Sequence, residues 1–286
     1  MLASINNYIQ LTKPTIMLLV VFTGSAALVV EGSFLQEPLK FLLVIIGLYM
    51  TGGCANALNQ YLERDLDAKM ERTKNRRPLP SGRLSPNRAL IFSVSIGIGG
   101  IILFAYFFNW LTALLALGTI LFYSLYYTLW LKPNTTQNIV IGGIAGAMAP
   151  IGAWTAATNS MSVMPWLLFL IIFLWTPPHF WALALFSKKD YKIVGLPMMP
   201  VVKGEDSTRL QILVYTIILV ISSLGLLFFG AGWIYGATAF ILGVLFARRA
   251  LQLYLGKTDK LARQLFGQSL LYLFGVFSAV IVDALL

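Results

Sequence analysis

The sequence predicts an all-α, polytopic membrane protein with about nine transmembrane helices. Its mean hydropathy is +0.79 and only 11% of its residues are charged, a composition far from that of soluble domains. Several apolar runs approach or exceed the roughly 18 to 20 residues that cross a bilayer. Basic residues gather in alternate connections between those runs, as the positive-inside rule requires of a multi-span chain.

Taken between polar breaks, the runs lie near Thr15–Val30, Lys40–Tyr61, Ala89–Phe108, Leu111–Leu131, Ile139–Ala157, Pro165–Phe186, Leu210–Gly230, Trp233–Arg248 and Leu265–Leu286. The first and eighth are short and call for flanking residues, tilt or partial interfacial placement. The polar opening ASINNYIQLTKP lacks a basic n-region and a cleavage site, so the first run is expected to be a retained span. The first connection carries Glu31, Glu37 and the edge residue Lys40. Later connections on that side hold Asn109 or, in Ala156–Met164 and Gly230–Gly232, no ionisable side chain. Arg64 to Arg88, Lys132, Lys188 to Arg209 and Arg248 to Arg263 fill the other side. This pattern predicts a cytoplasmic N-terminus, an external C-terminus and basic loops facing the cytoplasm.

The net charge of +10 follows from that loop bias and does not point to nucleic acid. Cys54 is the single cysteine, which excludes an intramolecular disulfide and a cysteine-based metal site. Beside Gly52 and Gly53 it fits a small packing position. The run IGGIAGAMAPIGAW spaces Gly142, Gly143 and Gly146 for close helix contact. No soluble segment or short-period repeat interrupts the chain, so one membrane domain, 1–286, is expected, with functional cytoplasmic loops at 62–88 and 187–209.

Asn59–Pro86, NQYLERDLDAKMERTKNRRPLPSGRLSP, holds four of the eleven carboxylates and seven of the twenty-one Lys and Arg. On a helix Asn59, Glu63 and Asp67 stand at i, i+4 and i+8, on nearly one face. Mg²⁺ prefers such oxygen ligands and is usually bound through one or two carboxylates with substrate phosphates. Asp65 points away from that face. Arg64, Lys69, Arg72, Lys74, Arg76 and Arg77 supply cationic donors suited to phosphate oxygens. The plain alternative is a solvated loop of i,i+4 ion pairs. Pro78, Pro80 and Gly82 give the loop a defined shape.

Two further segments carry candidates. In YSLYYTLWLKP, Tyr126, Tyr127 and Lys132 fit interfacial anchors. In TPPHFWALALFSKKDY, the sole histidine, His179, follows Pro177 and Pro178 and lies near Trp181. It is either a hydrogen-bonded core residue or, as an imidazole beside a proline-opened stretch, a contact to a bound group. Lys188, Lys189 and Asp190 follow at the cytoplasmic exit, where the lysines could meet anionic oxygens. Asp283, near the outer end of the last span, is expected to be interfacial.

The run from Asn59, the basic RTKNRRPLPSG, LWTPPHFWALALFSKKDY and GLPMMPV together resemble the UbiA-type intramembrane prenyltransferases, and within them the branch that farnesylates haem. The resemblance extends from about Lys13 to the end of the chain. It implies a fold of about nine helices around a central cavity in a bacterial inner membrane. It implies Mg²⁺ on Asn59, Glu63 and Asp67, with Lys132 joining them in catalysis. Diphosphate would be bound by Arg64, Lys69, Arg72, Lys74, Arg76 or Arg77, Lys188 and Lys189. The acceptor would be met by His179, Trp181, Tyr127, Asp190 and Tyr191. The implied reaction moves farnesyl from farnesyl diphosphate to the 2-vinyl group of haem b, with addition of water, giving haem O. Implied partners are the bilayer and a haem A synthase or terminal-oxidase assembly.

The chain departs from the family pattern at Glu63, where Asp is usual. The basic loop is one residue longer, which leaves Arg76 and Arg77 as alternatives. A second acidic motif is reduced to Asp190, with Glu205 and Asp206 beyond it, so a second carboxylate-bound Mg²⁺ is in doubt. Two other functions fit in part. A relative with an aromatic or chlorophyll-type acceptor would share the Asn59 to Asp67 face without needing PPHFW. A transporter would place its charges at the bilayer midplane, whereas this chain keeps nearly all of them at one surface.

Overall fold

The computed structural model describes residues 2–286. Nine helices among the described residues are long and apolar enough to cross a membrane: Pro14–Glu31, Pro38–Leu62, Pro86–Phe107, Trp110–Asn134, Asn138–Thr158, Val163–Phe186, Glu205–Phe229, Trp233–Gly256 and Asp259–Leu285. They match the nine expected runs. The eighth is 24 residues long, because its helix continues through Arg248 and Arg249, where hydropathy alone ends it.

Local chemistry sets the ends. Proline, whose missing N–H costs nothing in a first turn, opens the first three spans at Pro14, Pro38 and Pro86. Asn109 caps the fourth by accepting from Thr112 N at 2.9 Å, and Thr258 caps the ninth by accepting from Leu261 N at 3.3 Å. The fourth span changes winding on the way. It is α-helical over Trp110–Leu121 and π-helical over Phe122–Leu131, a form that is rare beyond a single turn.

The polarity of the surface is that of a protein dissolved in lipid. Phe228 and Trp233 are 88% and 80% exposed, while Glu63 and Asp67 are 3% and 0% exposed. Two carboxylates are buried while large apolar side chains along the nine long apolar helices face outward, so the chain is a multi-pass integral membrane protein.

The spans form two compact units. The first comprises Met1–Pro133, Met148–Met161 and Ile193–Gly195; the second comprises Asn134–Ala147, Ser162–Lys192 and Leu196–Leu286. In the first unit the second span packs along the third, closely enough that a Cβ added at Gly97 would stand 2.5 Å from Cys54 Sγ. The single cysteine is therefore a packing residue at a helix crossing. In the second unit the sixth span packs on the fifth span's first half, where a Cβ at Gly143 would lie 3.2 Å from Thr176. Gly146 meets no such neighbour. The sixth span continues as helix through Pro177 and Pro178, both buried.

Candidate active site

The candidate site is built in the first unit where the second span ends. The helix stops at Leu62, and a four-residue turn, Arg64–Asp67, follows Glu63. The i to i−4 bonding nevertheless runs across the break: Glu63 N donates to Asn59 O at 3.0 Å and Asp67 N to Glu63 O at 2.8 Å. Asn59, Glu63 and Asp67 consequently keep one face. Beyond them Thr73 donates its hydroxyl to Asp67 O at 2.7 Å. This bond folds the basic loop back on the helix end and delivers Arg77 to the Asp67 carboxylate.

Three cationic side chains close over that face. Arg77 pairs with Asp67 and stands 3.9 Å from Glu63. Lys132, at the end of the π-wound stretch, pairs with Glu63. Lys13 donates to Asn59 Oδ1 at 2.7 Å. Lys13 takes a left-handed backbone conformation, φ 54°, just before Pro14, uncommon for a side-chain-bearing residue. Gln60 helps hold this corner by donating to the carbonyls of Gln10 and Leu11 at 3.0 and 2.9 Å.

The electrostatics follow from burial and from this cluster. Burial alone would raise the Glu63 carboxyl; the Lys132 ammonium, with Lys13 and Arg77, overrides it and holds Glu63 below the usual carboxylate value. For Asp67, burial and the Glu63 charge outweigh Arg77, and its carboxyl is raised. Burial, reinforced by Arg77, pushes the Lys13 amine well below the usual lysine value.

The residues present fit a hard divalent cation. Asn59, Glu63 and Asp67 offer oxygen atoms only, and Asp67 Oδ1 is buried without a hydrogen-bond partner, a costly state for a carboxylate oxygen. Each of the three groups faces a positive side chain. Arg77, Lys132 and Lys13 bring N–H donors to the same place, which suits an anion bound together with a metal.

The model of the UbiA prenyltransferase family matches residues 17–276. The chain belongs to the UbiA prenyltransferase family. A relative named protoheme IX farnesyltransferase, from Erythrobacter litoralis, is 47% identical across 97% of this chain and 92% of its own. Among solved structures, one described as digeranylgeranylglyceryl phosphate synthase superposes with a TM-score of 0.77 at 21% identity, over 98% of both chains. A UbiA homologue from Archaeoglobus fulgidus, bound to GPP and Mg²⁺, gives a TM-score of 0.65 at 14% identity, over 96% of this chain and 99% of that one. At such identities the two structures report the fold.

For this UbiA-family chain, the remaining expected residues divide by location. Arg76 is exposed, and its carbonyl accepts from Arg83, so of the two alternatives only Arg77 reaches the carboxylates. Lys69 is exposed. Lys74 pairs with Glu71 at 2.5 Å. Arg64 bonds Tyr61 O at 2.9 Å and covers the Tyr61 ring. Arg72 is half-buried. Tyr127 stacks on Tyr123 at 5.1 Å, while Tyr126 and Trp130, both outward, stack at 5.2 Å. The end of the fourth span thus carries an aromatic belt and an inward lysine together.

In the second unit, His179 lies between the Trp175 and Phe266 rings, at 4.2 and 4.3 Å, and its Nδ1 is 2.7 Å from Ser269 Oγ. Trp181 is fully buried, edge-on to Tyr215. Tyr191 is buried, Lys189 exposed and Asp190 intermediate. Lys188 pairs with Glu205, which also binds Arg209. Asp206 is taken by Arg209 and Lys257, each at 3.0 Å. Asp283 accepts from Gly232 N and so caps the eighth span, a structural role more specific than interfacial placement.

Lys13 is the participant that spacing does not reveal. Its only signal in the sequence is a lysine directly before a proline that opens a span.

Proposed function

We propose that the chain transfers the farnesyl group of farnesyl diphosphate to the 2-vinyl group of haem b, with addition of water, releasing diphosphate and leaving haem O. The convergence of Lys13, Arg77 and Lys132 on Asn59, Glu63 and Asp67 carries this reading. A prenyl diphosphate with a divalent cation is the ligand whose charges answer both halves of that cluster. The protoheme IX farnesyltransferase relatives support the choice of donor and acceptor, and the Archaeoglobus homologue's GPP and Mg²⁺ support the ligand class.

Mg²⁺ bound by Asn59, Glu63 and Asp67 would supply charge neutralisation at the departing diphosphate. Lys13, Arg77 and Lys132 would turn from their present acceptors to diphosphate oxygens, where donors already in place favour the charge that grows in the transition state. The allylic C–O bond breaks and its electron pair leaves with the diphosphate. The terminal vinyl carbon then gives its π electrons to the allylic carbon. Water oxygen fills the positive centre left beside the porphyrin, and the spare proton passes to solvent.

His179 is the proposed contact to haem iron. Ser269 gives its hydroxyl hydrogen to Phe266 O at 2.7 Å, so His179 Nδ1 is the donor in their bond. Nε2 then carries the lone pair that an iron ligand needs. Trp181, Tyr127, Asp190 and Tyr191 are assigned with it to the acceptor. The other loop cations, Arg64, Lys69, Arg72, Lys74, Lys188 and Lys189, are assigned to capture of diphosphate at the surface. We place the loops 62–88 and 187–209 on the cytoplasmic side of a bacterial inner membrane, in one catalytic domain. A haem A synthase is the proposed receiver of the product.

The test is mass analysis of porphyrin products after purified protein meets haem b, farnesyl diphosphate and Mg²⁺. A hydroxyethylfarnesyl porphyrin is expected. Haem b recovered unchanged, beside a farnesylated aromatic acid from a mixed-acceptor assay, would overturn the assignment.

A further inference from the structure

The π-wound end of the fourth span holds a hydroxyl against the candidate metal site. Thr128 is buried, and its hydroxyl lies 2.8 Å from Tyr123 O, five residues back. Lys132 N likewise bonds Tyr127 O, five residues back. In an α-helix a threonine hydroxyl turns to the carbonyl three or four residues back. Here the π register supplies a different acceptor.

That choice has a consequence for Asn59. Its Nδ2 lies 3.1 Å from Thr128 Oγ1 and its Oδ1 lies 2.7 Å from Lys13 Nζ. A hydroxyl has one hydrogen, and that of Thr128 is committed to Tyr123 O; its oxygen can therefore only accept from Asn59. Lys13 Nζ donates to the amide oxygen on the other side. Both constraints give the same orientation, with the amide nitrogen toward the fourth span and the amide oxygen toward the cationic cluster. Reversal would set an amide N–H against the donating Lys13 Nζ and leave the Thr128 oxygen without a donor.

We propose that Thr128 is a positioning residue that locks the Asn59 amide with its oxygen toward the metal site. The proposal rests on Asn59 being a ligand, as in the proposed function. The π-wound segment then sets the ligand's orientation from a neighbouring helix. Thr128 is assigned to act through Asn59, which its hydroxyl meets at 3.1 Å.

The test compares Thr128→Val, Thr128→Ser and Asn59→Ala in the full-length protein. Mn²⁺ binding in the presence of inorganic diphosphate is read by electron paramagnetic resonance, and the Mg²⁺ requirement by turnover. Thr128→Val, which keeps the shape and removes the hydroxyl, is expected to weaken Mn²⁺ binding about tenfold, the effect of losing roughly one hydrogen bond. It should raise the half-saturating Mg²⁺ concentration to match, with turnover largely restored at saturating Mg²⁺. Thr128→Ser should restore both values. Equal losses in the valine and serine variants would show that keeping the hydroxyl does not preserve the site, and would overturn the proposal. Should the valine variant not fold, Thr128→Ala replaces it, under the same comparison with serine. Normal Mn²⁺ binding in the Thr128 variants with weakened binding in Asn59→Ala would overturn the role of Thr128 and keep the metal site. Normal binding in all of them would overturn both.

Discussion

Lys13 Nζ stands 2.7 Å from Asn59 Oδ1 across 46 residues of sequence. A residue ahead of the first span is thereby joined to the last turn of the second, and a third cation enters the cluster. Lys13→Ala is expected to raise the KM for farnesyl diphosphate roughly tenfold to a hundredfold, the range for losing a hydrogen bond to a charged group. Steady-state kinetics with varied donor checks this, and an unchanged KM would remove Lys13 from diphosphate binding.

Arg76 and Arg77 are adjacent and should behave differently. Arg77→Ala leaves the fully buried Asp67 without its partner, a loss on the order of 3–5 kcal/mol for a buried pair. Arg76→Ala, at an exposed side chain, should stay within about 0.5 kcal/mol of the parent. Thermal unfolding in detergent, followed by activity at saturating donor, separates the two.

Asp67 should set an acid limit on metal binding. Its carboxyl is raised by burial, so it takes up a proton as pH falls while an ordinary aspartate is still ionised. A carboxylate must be ionised to hold a cation, and Mn²⁺ affinity should decline from the pH at which Asp67 begins to protonate. The Asp67→Asn variant should bind Mn²⁺ weakly at every pH. A pH profile that is the same in both proteins would refute the assignment.

His179→Ala and Ser269→Ala should affect haem differently. Loss of the imidazole is expected to abolish the axial-ligand signature in the bound-haem absorption spectrum. Loss of the serine hydroxyl leaves the ring between Trp175 and Phe266 but frees its tautomer, which should weaken the same signature without removing it. A wild-type spectrum in His179→Ala would return the residue to a packing role.

Asp283→Ala removes the carboxylate that meets Gly232 N at the start of the eighth span. Loss of such a cap costs about 1 kcal/mol, so the melting temperature should fall while donor and acceptor KM values stay unchanged.

The spans and the Asn59, Glu63 and Asp67 face were legible in the sequence because each rests on a short-range rule. Hydropathy fixes the first, and four-residue spacing fixes the second even though the helix ends at Leu62. Three features depend on tertiary contacts and had no such signal. The choice of Arg77 follows from the Thr73 bond that folds the loop. Lys13 depends on a left-handed turn and on Gln60. The π winding before Lys132 lies in a stretch, FYSLYYTLWL, whose composition suits an ordinary helix. The eighth span ran past its expected end at Arg248 because a helix can carry charge once it reaches the interface. Arg249 there bonds Gln252 and Gln264, both at 3.0 Å.

The packing of Cys54 against Gly97 makes the chain convenient to map chemically. The only thiol in the sequence is sealed at a helix crossing, 2% exposed. Water-soluble maleimides should therefore leave the native protein unlabelled, and cysteines introduced singly at exposed Ser160 or Lys189 would react from whichever aqueous compartment each one faces.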